Sequence, residues 1–309
     1  LRATIKKSLN REELGRFSLK TSQSAPYNIF LSISQLNDLM DFQSKANRVL
    51  IASELETTEI AKTIEQSLKP ADAGLSLKNI EATNEVEIST SRVFMGAKVG
   101  QTLTQLPAAN PVISYFVNGI QLLKTGNETP YSFVSSLTDH QLSSEEIILN
   151  QWAADDLNAA PGDSIRLKFF EIGPLRELMN REEIFIVKEI VPMTPEWADS
   201  TRMPYLPGLS DAGHCREWEA GVPIDLDAIR DKDEKYWDDW KGAPKAYISL
   251  EKAIELWENR FGSYTAVRFP ASEFDAQQYR NEFSSQIKPG DLGMAVEPVR
   301  EQGLHAARN

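Results

Sequence analysis

The densest collection of chemically capable side chains runs from Asp211 to Asp239. It holds His214, Cys215, Glu217, Asp225, Asp227, Asp231, Asp233, Asp238 and Asp239, beside Trp218, Trp237 and Trp240. Paired carboxylates such as Asp225-x-Asp227 and Asp231-x-Asp233 are hard oxygen donors of the kind calcium takes. An EF-hand counted from Asp225 would need glycine at its sixth position and glutamate at its twelfth. The chain has Arg230 and Tyr236 there, so that motif fails and only an irregular calcium site stays open. His214 and Cys215 are adjacent and lack the spaced partners of a tetrahedral zinc site. The structural alternative is an ordered surface excursion, broken by Pro204, Pro207, Gly208, Gly221 and Pro223, whose tryptophans pin it to the body while its acids face water. On that reading Asp211, His214, Arg216, Trp218, Asp225, Asp227, Arg230, Trp237 and Trp240 form an interaction loop. No catalytic residue, cofactor or bound metal is then expected.

Other chemistry has weaker marks. Ser210 sits in Gly208-Leu209-Ser210-Asp211-Ala212, which lacks the second glycine of a nucleophile elbow, and only His140, His214 and His305 could serve as a base. The acids around Cys215 should raise its pKa rather than activate it. Gly96-Ala97-Lys98-Val99-Gly100 has neither the Lys-Ser/Thr ending of a phosphate loop nor dinucleotide spacing. Asn127-Glu128-Thr129 fits a glycosylation pattern but reads as a turn before Pro130.

The elements that would position these residues belong to a chain of 309 residues, a length that suggests two domains, with 41% hydrophobic and 25% charged residues, near the globular average. A net charge of −12 is the wrong sign for neutralising phosphates or an anionic bilayer, so nucleic acid is not an expected partner. The single cysteine excludes an internal disulfide. No run approaches the roughly eighteen apolar residues of a spanning helix. The apolar runs have strand length, as in Ile113-Ser114-Tyr115-Phe116-Val117, expected in the core. The opening Leu1-Arg2-Ala3-Thr4 has neither an initiator Met nor a signal peptide, and reads as a piece of something larger.

The chain contains an internal duplication. Ala25-Pro26-Tyr27-Asn28-Ile29-Phe30-Leu31-Ser32 recurs, with one residue fewer, as Ala243-Pro244-Lys245-Ala246-Tyr247-Ile248-Ser249. Ser32 and Ser249 each stand where a helix cap is needed, before apolar residues at helical spacing. A strand (Arg48 to Ile51, Thr265 to Arg268) and a helix (Glu54 to Leu68, Ser272 to Ile287) follow. Both copies stop at matching punctuation, Lys69-Pro70-Ala71-Asp72-Ala73-Gly74 and Lys288-Pro289-Gly290-Asp291-Leu292-Gly293, and then enter a strand. Arg2 to Leu9 is a weaker match to Ile184 to Val191. Ahead of the second copy, Glu145 to Asn150 reads as a strand, Gln151 to Asn158 as a helix, Ala160-Pro161-Gly162-Asp163 as a turn and Ser164 to Phe170 as a strand. The fold expected is α+β, two related strand-helix-strand-helix-strand units with mixed sheets. The first covers 1–90 and is N-terminally truncated; the second covers 91–309 and includes the 145–170 strand-helix-strand element and the 193–242 acidic loop.

Several of these motifs resemble one family. Phe17-Ser18-Leu19-Lys20-Thr21-Ser22-Gln23, Ala46-Asn47, Thr129-Pro130-Tyr131-Ser132-Phe133, the Ile147 to Asp163 element, Pro207-Gly208-Leu209-Ser210-Asp211 and Pro223-Ile224-Asp225-Leu226-Asp227 are similar to the extracytoplasmic part of bacterial ABC-transporter permeases of the FtsX/MacB-like kind. The resemblance implies a MacB-like periplasmic core, porter-like with an inserted subdomain, and a non-enzymatic role. It further implies flanking transmembrane parts of a multi-pass inner-membrane protein, a separate cytoplasmic ABC ATPase subunit as partner, pairing as a homodimer or with a second permease, and contacts with periplasmic proteins. The rival expectation is a calcium- or metal-dependent hydrolase or binding protein using the Asp211 to Asp239 loop.

Overall fold

The computed structural model describes residues 4–19, 24, 26–40, 45–138, 141–173, 175, 177–219 and 221–308. Lys20 to Gln23, Ala25 and His140, all drawn into the sequence reading, lie outside the described residues. The chain forms two units, Leu1–Ser67 with Met294–Asn309, and Leu68–Gly293.

In the first unit, α1 (Ile33–Leu39) starts where Ser32 Oγ accepts the Gln35 N–H at 3.2 Å. It is followed by α2 (Thr57–Ser67), and the end of the chain adds a helix over Val299–Arg308. Neither α1 nor α2 buries a residue, and Tyr27, Ile29, Val49 and Leu50 are exposed.

The second unit holds two sheets, and the chain class is α+β. Strands β1 (Leu75–Ile80) and β2 (Glu85–Thr90) form a hairpin, and α3 (Ala97–Thr104) leads to the short β3 (Asn110–Val112). There follow β4 (Ser114–Leu122), β5 (Glu128–Leu137), β6 (Glu146–Asn150), α4 (Gln151–Leu157), β7 (Ser164–Ile172) and β8 (Leu178–Val191). After the excursion, which contains α5 (Asp231–Trp240), come β9 (Ala246–Ser249), α6 (Leu250–Trp257), β10 (Ala266–Pro270) and α7 (Ala276–Gln286). The expected strand-helix-turn-strand element is present as β6, α4 and β7. Asn150 caps α4 by accepting the Ala153 N–H at 2.8 Å, and Ala153 and Leu157 are buried.

Six strands close a barrel in the order β4-β5-β9-β6-β8-β7, with β5–β9 and β6–β8 parallel and the other pairs antiparallel. Alternation sends Ile147 and Leu149 of β6, and Ala246 and Ile248 of β9, inward to meet Val117, Ile120, Leu167 and Phe185. Ile148 and Tyr247 face the other way and are equally buried, in a second cluster with Val191. A strand covered on both faces reads as an unbroken apolar run, as Glu146-Ile147-Ile148-Leu149-Asn150 does. The run around Ile113 and Val117 is core, as expected.

The smaller sheet is antiparallel in the order β1-β2-β10-β3. One face, with Leu75, Ile88, Val267 and Phe269, packs under Val99, Leu103, Tyr279 and Phe283 of α3 and α7. Here β1, from the first copy of the duplication, shares a sheet with β10, from the second.

The duplication holds at the level of caps and turns. Ser249 Oγ accepts the Lys252 N–H at 3.2 Å, with backbone angles at Ser249 within a few degrees of those at Ser32. Lys69 N and Lys288 N each donate to the Asp three residues on, Asp72 and Asp291, at 2.8 Å, and Gly74 and Gly293 close both turns at φ 74° and 76°. The strands do not repeat. Asn28 to Ser32 and Arg48 to Ile51 form no strand where β9 and β10 do, and Met294 to Val299 forms none where β1 does. The difference lies in partners: β9 is held between β5 and β6, and β10 between β2 and β3, whereas strands flanking the matching first-copy segments are absent among the described residues.

Gly262 holds the turn between α6 and β10. It stands at φ 142°, and a Cβ there would fall onto the backbone of Met95, whose N–H is bound by the Tyr264 carbonyl at 2.7 Å. Gly262→Ala is therefore expected to destabilise the second unit by at least about 2 kcal/mol, read as a lowered urea midpoint at unchanged slope.

Candidate functional site

The acidic excursion lies on the outside of the barrel. Phe116 of β4 and Tyr131 and Phe133 of β5 point outward and are met by Trp218, Ile229 and Trp237. Phe116 stacks on Tyr131 at 5.9 Å, and Trp218 stands edge-on to Phe116 at 5.7 Å and to Trp237 at 5.0 Å. Edge and offset contacts of this kind add to the area they bury. The tryptophans pin the excursion as the sequence suggested.

Its last part is not a loop. Asp231–Trp240 is the helix α5, with Asp231, Asp233 and Glu234 in the first turn, where the helix dipole favours negative charge. Asp233 accepts the Arg230 N–H at 3.0 Å, tying off the helix start. The spacing of Asp233, Tyr236, Trp237 and Trp240 places one face on the barrel, a helical period that the density of acids obscures in the sequence.

The nine candidate residues do not converge. Trp218 and Trp237 are buried and Trp240 half-buried, while Asp211, His214, Arg216, Asp225 and Asp227 are exposed. Asp211 accepts from the Tyr205 hydroxyl at 3.0 Å, Arg216 pairs with Asp231 at 2.9 Å, and Asp225 caps a short turn by accepting the Asp227 N–H at 3.1 Å. Cys215 is buried, and burial, followed by the Glu234 carboxylate, pushes its thiol up to about 12, the wrong direction for a nucleophile.

Arg230 is the candidate that organises its surroundings. Its guanidinium donates to Asp233 at 2.7 Å and Asp156 of α4 at 2.8 Å, and reaches the Glu128 carbonyl and the Thr129 hydroxyl of β5 at 3.2 Å. Lys232 also pairs with Asp156. Beneath them lies Lys245, with its ammonium 4.3 Å from the Trp152 ring, 4.8 Å from the Tyr236 ring and 3.7 Å from Asp233. Burial pulls Lys245 down to about 8, with Asp233 and Asp156 opposing. Burial also works against the Asp233 charge, but Arg230 and Lys245 outweigh it and hold the carboxyl below its ordinary value.

A second ion cluster escaped the sequence reading altogether. On the polar face of the smaller sheet, Arg268 of β10 sits opposite Glu87 of β2 and is 0% exposed. It donates to Glu87 at 2.9 Å, to Asp199 of the excursion at 2.5 Å, to the Thr201 hydroxyl at 2.8 Å and to Glu85 at 3.3 Å. Burial disfavours charge on both Arg268 and Asp199, yet their mutual attraction prevails, so Arg268 is raised and Asp199 lowered. The available signal was the alternation Val267-Arg268-Phe269, which puts one charged residue on the face opposite two apolar ones.

Replacing Arg268 with Met leaves Glu87 and Asp199 buried without their cation, with an expected loss of about 3–5 kcal/mol in chemical denaturation at neutral pH. The deficit should shrink in acid: the stability tied to the lowered Asp199 pKa is present above its unfolded value and is lost from the wild type as pH falls through the folded one. Lys245 has the opposite sense. Its lowered pKa is a cost at neutral pH that is relieved as pH rises from about 8 toward 10.5, because the unfolded chain holds the proton longer. The stability difference between Lys245→Met and the wild type should therefore move in the wild type's favour between pH 7 and pH 10 in paired urea titrations, because only the wild type sheds this cost. No protein-family model matches this chain, and comparison with curated proteins finds no relative.

Proposed function

We propose that the chain is the extracytoplasmic domain of an FtsX/MacB-like ABC-transporter permease, a mechanical and interaction module with a MacB-like periplasmic core. The role is to transmit conformational change and to contact substrate or partner proteins outside the inner membrane. The partners on this reading are a cytoplasmic ATPase subunit, reached through transmembrane parts of the same protein, and a second permease copy. The family part of this reading rests on the resemblance of the sequence motifs. The structural observation that supports a non-enzymatic role is the use of charge in the richest polar region: Asp156, Asp233, Arg230 and Lys245 are engaged in attaching the excursion, Glu234 accepts the Cys215 and Arg216 N–H groups, and Asp211, Glu217, Asp225, Asp227, Asp231, Asp238 and Asp239 are exposed. Among the described residues no three His, Cys, Asp or Glu side chains gather as metal ligands would. No described helix is long and apolar enough to cross a membrane.

Location is the test. Cys215 is buried, so an exposed Lys98→Cys provides a single reactive thiol. In cells producing the full-length protein, a membrane-impermeant maleimide should label it with the inner membrane intact; labelling only after that membrane is broken would refute the reading. Calcium calorimetry addresses the metal-dependent rival. Micromolar binding abolished by Asp225→Ala with Asp227→Ala would favour that rival, whereas the permease reading expects no saturable heat.

A further inference from the structure

The last segment of each copy of the duplication lies in the unit built by the other. In the second unit β2 has two neighbours: β10, from the second copy, and β1, which follows the turn at Lys69 to Gly74 and so ends the first copy. The counterpart of β1, residues 294–298, follows the matching turn at Lys288 to Gly293, and it belongs to the first unit together with residues 48–51, the counterpart of β10. The first unit thus holds matches for both strands that flank β2, and neither match is in a strand. What it lacks, among the described residues, is a counterpart of β2 itself. The side chains register that lack. Ala266, Val267 and Arg268 of β10 are at most 7% exposed, whereas Val49, Leu50 and Ile51 at the matching positions are 76%, 66% and 59% exposed. Counted back from the two turns, Ile60 and Ile64 of α2 correspond to Tyr279 and Phe283, which α7 buries against the smaller sheet, yet the two isoleucines are only half-buried.

We propose that the first unit keeps an open place for one β-strand, beside residues 48–51 and 294–298, and that a strand apolar on both faces fills it. Unpaired backbone N–H and C=O groups along an extended segment are what strand addition uses. The second unit shows the chemistry of the missing piece. There β2 turns Ile88 toward α3 and α7 and Glu87 the other way, onto Arg268. The first unit has Ile51 at the place of Arg268. A carboxylate at the place of Glu87 would then be buried without a cation, whereas an apolar residue would complete a cross-strand pair. The donor is the same polypeptide, as it is for β2, and that part of the inference rests on the reading of the chain as one domain of a larger permease.

The test follows amide hydrogen exchange at residues 48–51 and 294–298 by mass spectrometry. In the full-length protein in detergent micelles these amides should exchange at least about tenfold more slowly than in the 309-residue chain alone, because a paired strand protects them. Added to that chain, an end-blocked peptide of residues 84–92 carrying Glu87→Ile should restore slow exchange in a saturable manner, and the same peptide without the change should bind about tenfold more weakly. Ile51→Arg, at an exposed position, should reverse this order, since a guanidinium then meets the carboxylate; a reversal is an effect that damage to the fold cannot produce. Three results would each overturn the proposal: fast exchange in the full-length protein, a peptide order unmoved by Ile51→Arg, or protection of the 309-residue chain alone that rises with its concentration, the mark of a second copy in the place. The location assay with Lys98→Cys does not involve strand pairing, so the permease reading stands or falls separately.

Discussion

A positive charge with no access to water cannot stand alone, and Arg268 imposes that constraint on the second unit. Its guanidinium needs acceptors from three directions and takes them from β2 of its own sheet and from Asp199 and Thr201 of the excursion. The excursion is anchored at this point before it runs across the barrel. An apolar set of the same shape could match such a cluster in net stability; what the cluster adds is a heavy penalty on any arrangement that leaves one member unpaired. The sheet with α3 and α7 on one face therefore cannot slide its other face against the excursion without exposing a buried ion.

The duplicated halves separate local from long-range causes. Ser32 and Ser249 cap their helices in the same way, and Lys69 to Gly74 and Lys288 to Gly293 fold into the same turn, because each motif satisfies its own backbone groups within a few residues. Strands have no such autonomy. Ala246–Ser249 is extended between two neighbours that satisfy both of its edges, and its residues are buried; Asn28 to Ser32, of similar pattern, leaves Ile29 exposed. Equal sequence pattern produces equal caps and unequal sheets.

The same distinction explains what the sequence disclosed. The α+β class, the β6–α4–β7 element and the buried run from Ile113 to Val117 follow from periodicity and turn chemistry, which act over short distances. The barrel closure does not, because joining β9 to β5 and β6 brings together segments about a hundred residues apart, and nothing in Ala246-Tyr247-Ile248-Ser249 names its partners. The candidate site was legible only in its aromatic part. Trp218 and Trp237 pin the excursion because large apolar rings seek burial wherever they lie. Acid density, by contrast, drew attention to Asp211, Asp225 and Asp227, which are exposed, and away from Lys245 and Arg268, each a single cation between apolar neighbours in the sequence. A charge that has to be buried matters more to the architecture than many that remain in water, and composition weights them the wrong way round.

The excursion is consequently held by three unlike contacts in series. At its start Asp199 closes on Arg268; in its middle Trp218 and Trp237 cover the outward aromatics of β4 and β5; at its end Arg230 and Asp233 close over Lys245. The ionic contacts are directional and short-ranged, the aromatic contact broad and tolerant. A segment fastened at both ends by buried ions and in the middle by rings behaves as part of the barrel wall rather than as a mobile flap, since releasing either end would expose a charge without its partner. Of the exposed acids, Asp211 and Asp225 make contacts within the excursion, to the Tyr205 hydroxyl and the Asp227 N–H. They present negative charge at the surface of a firmly held support.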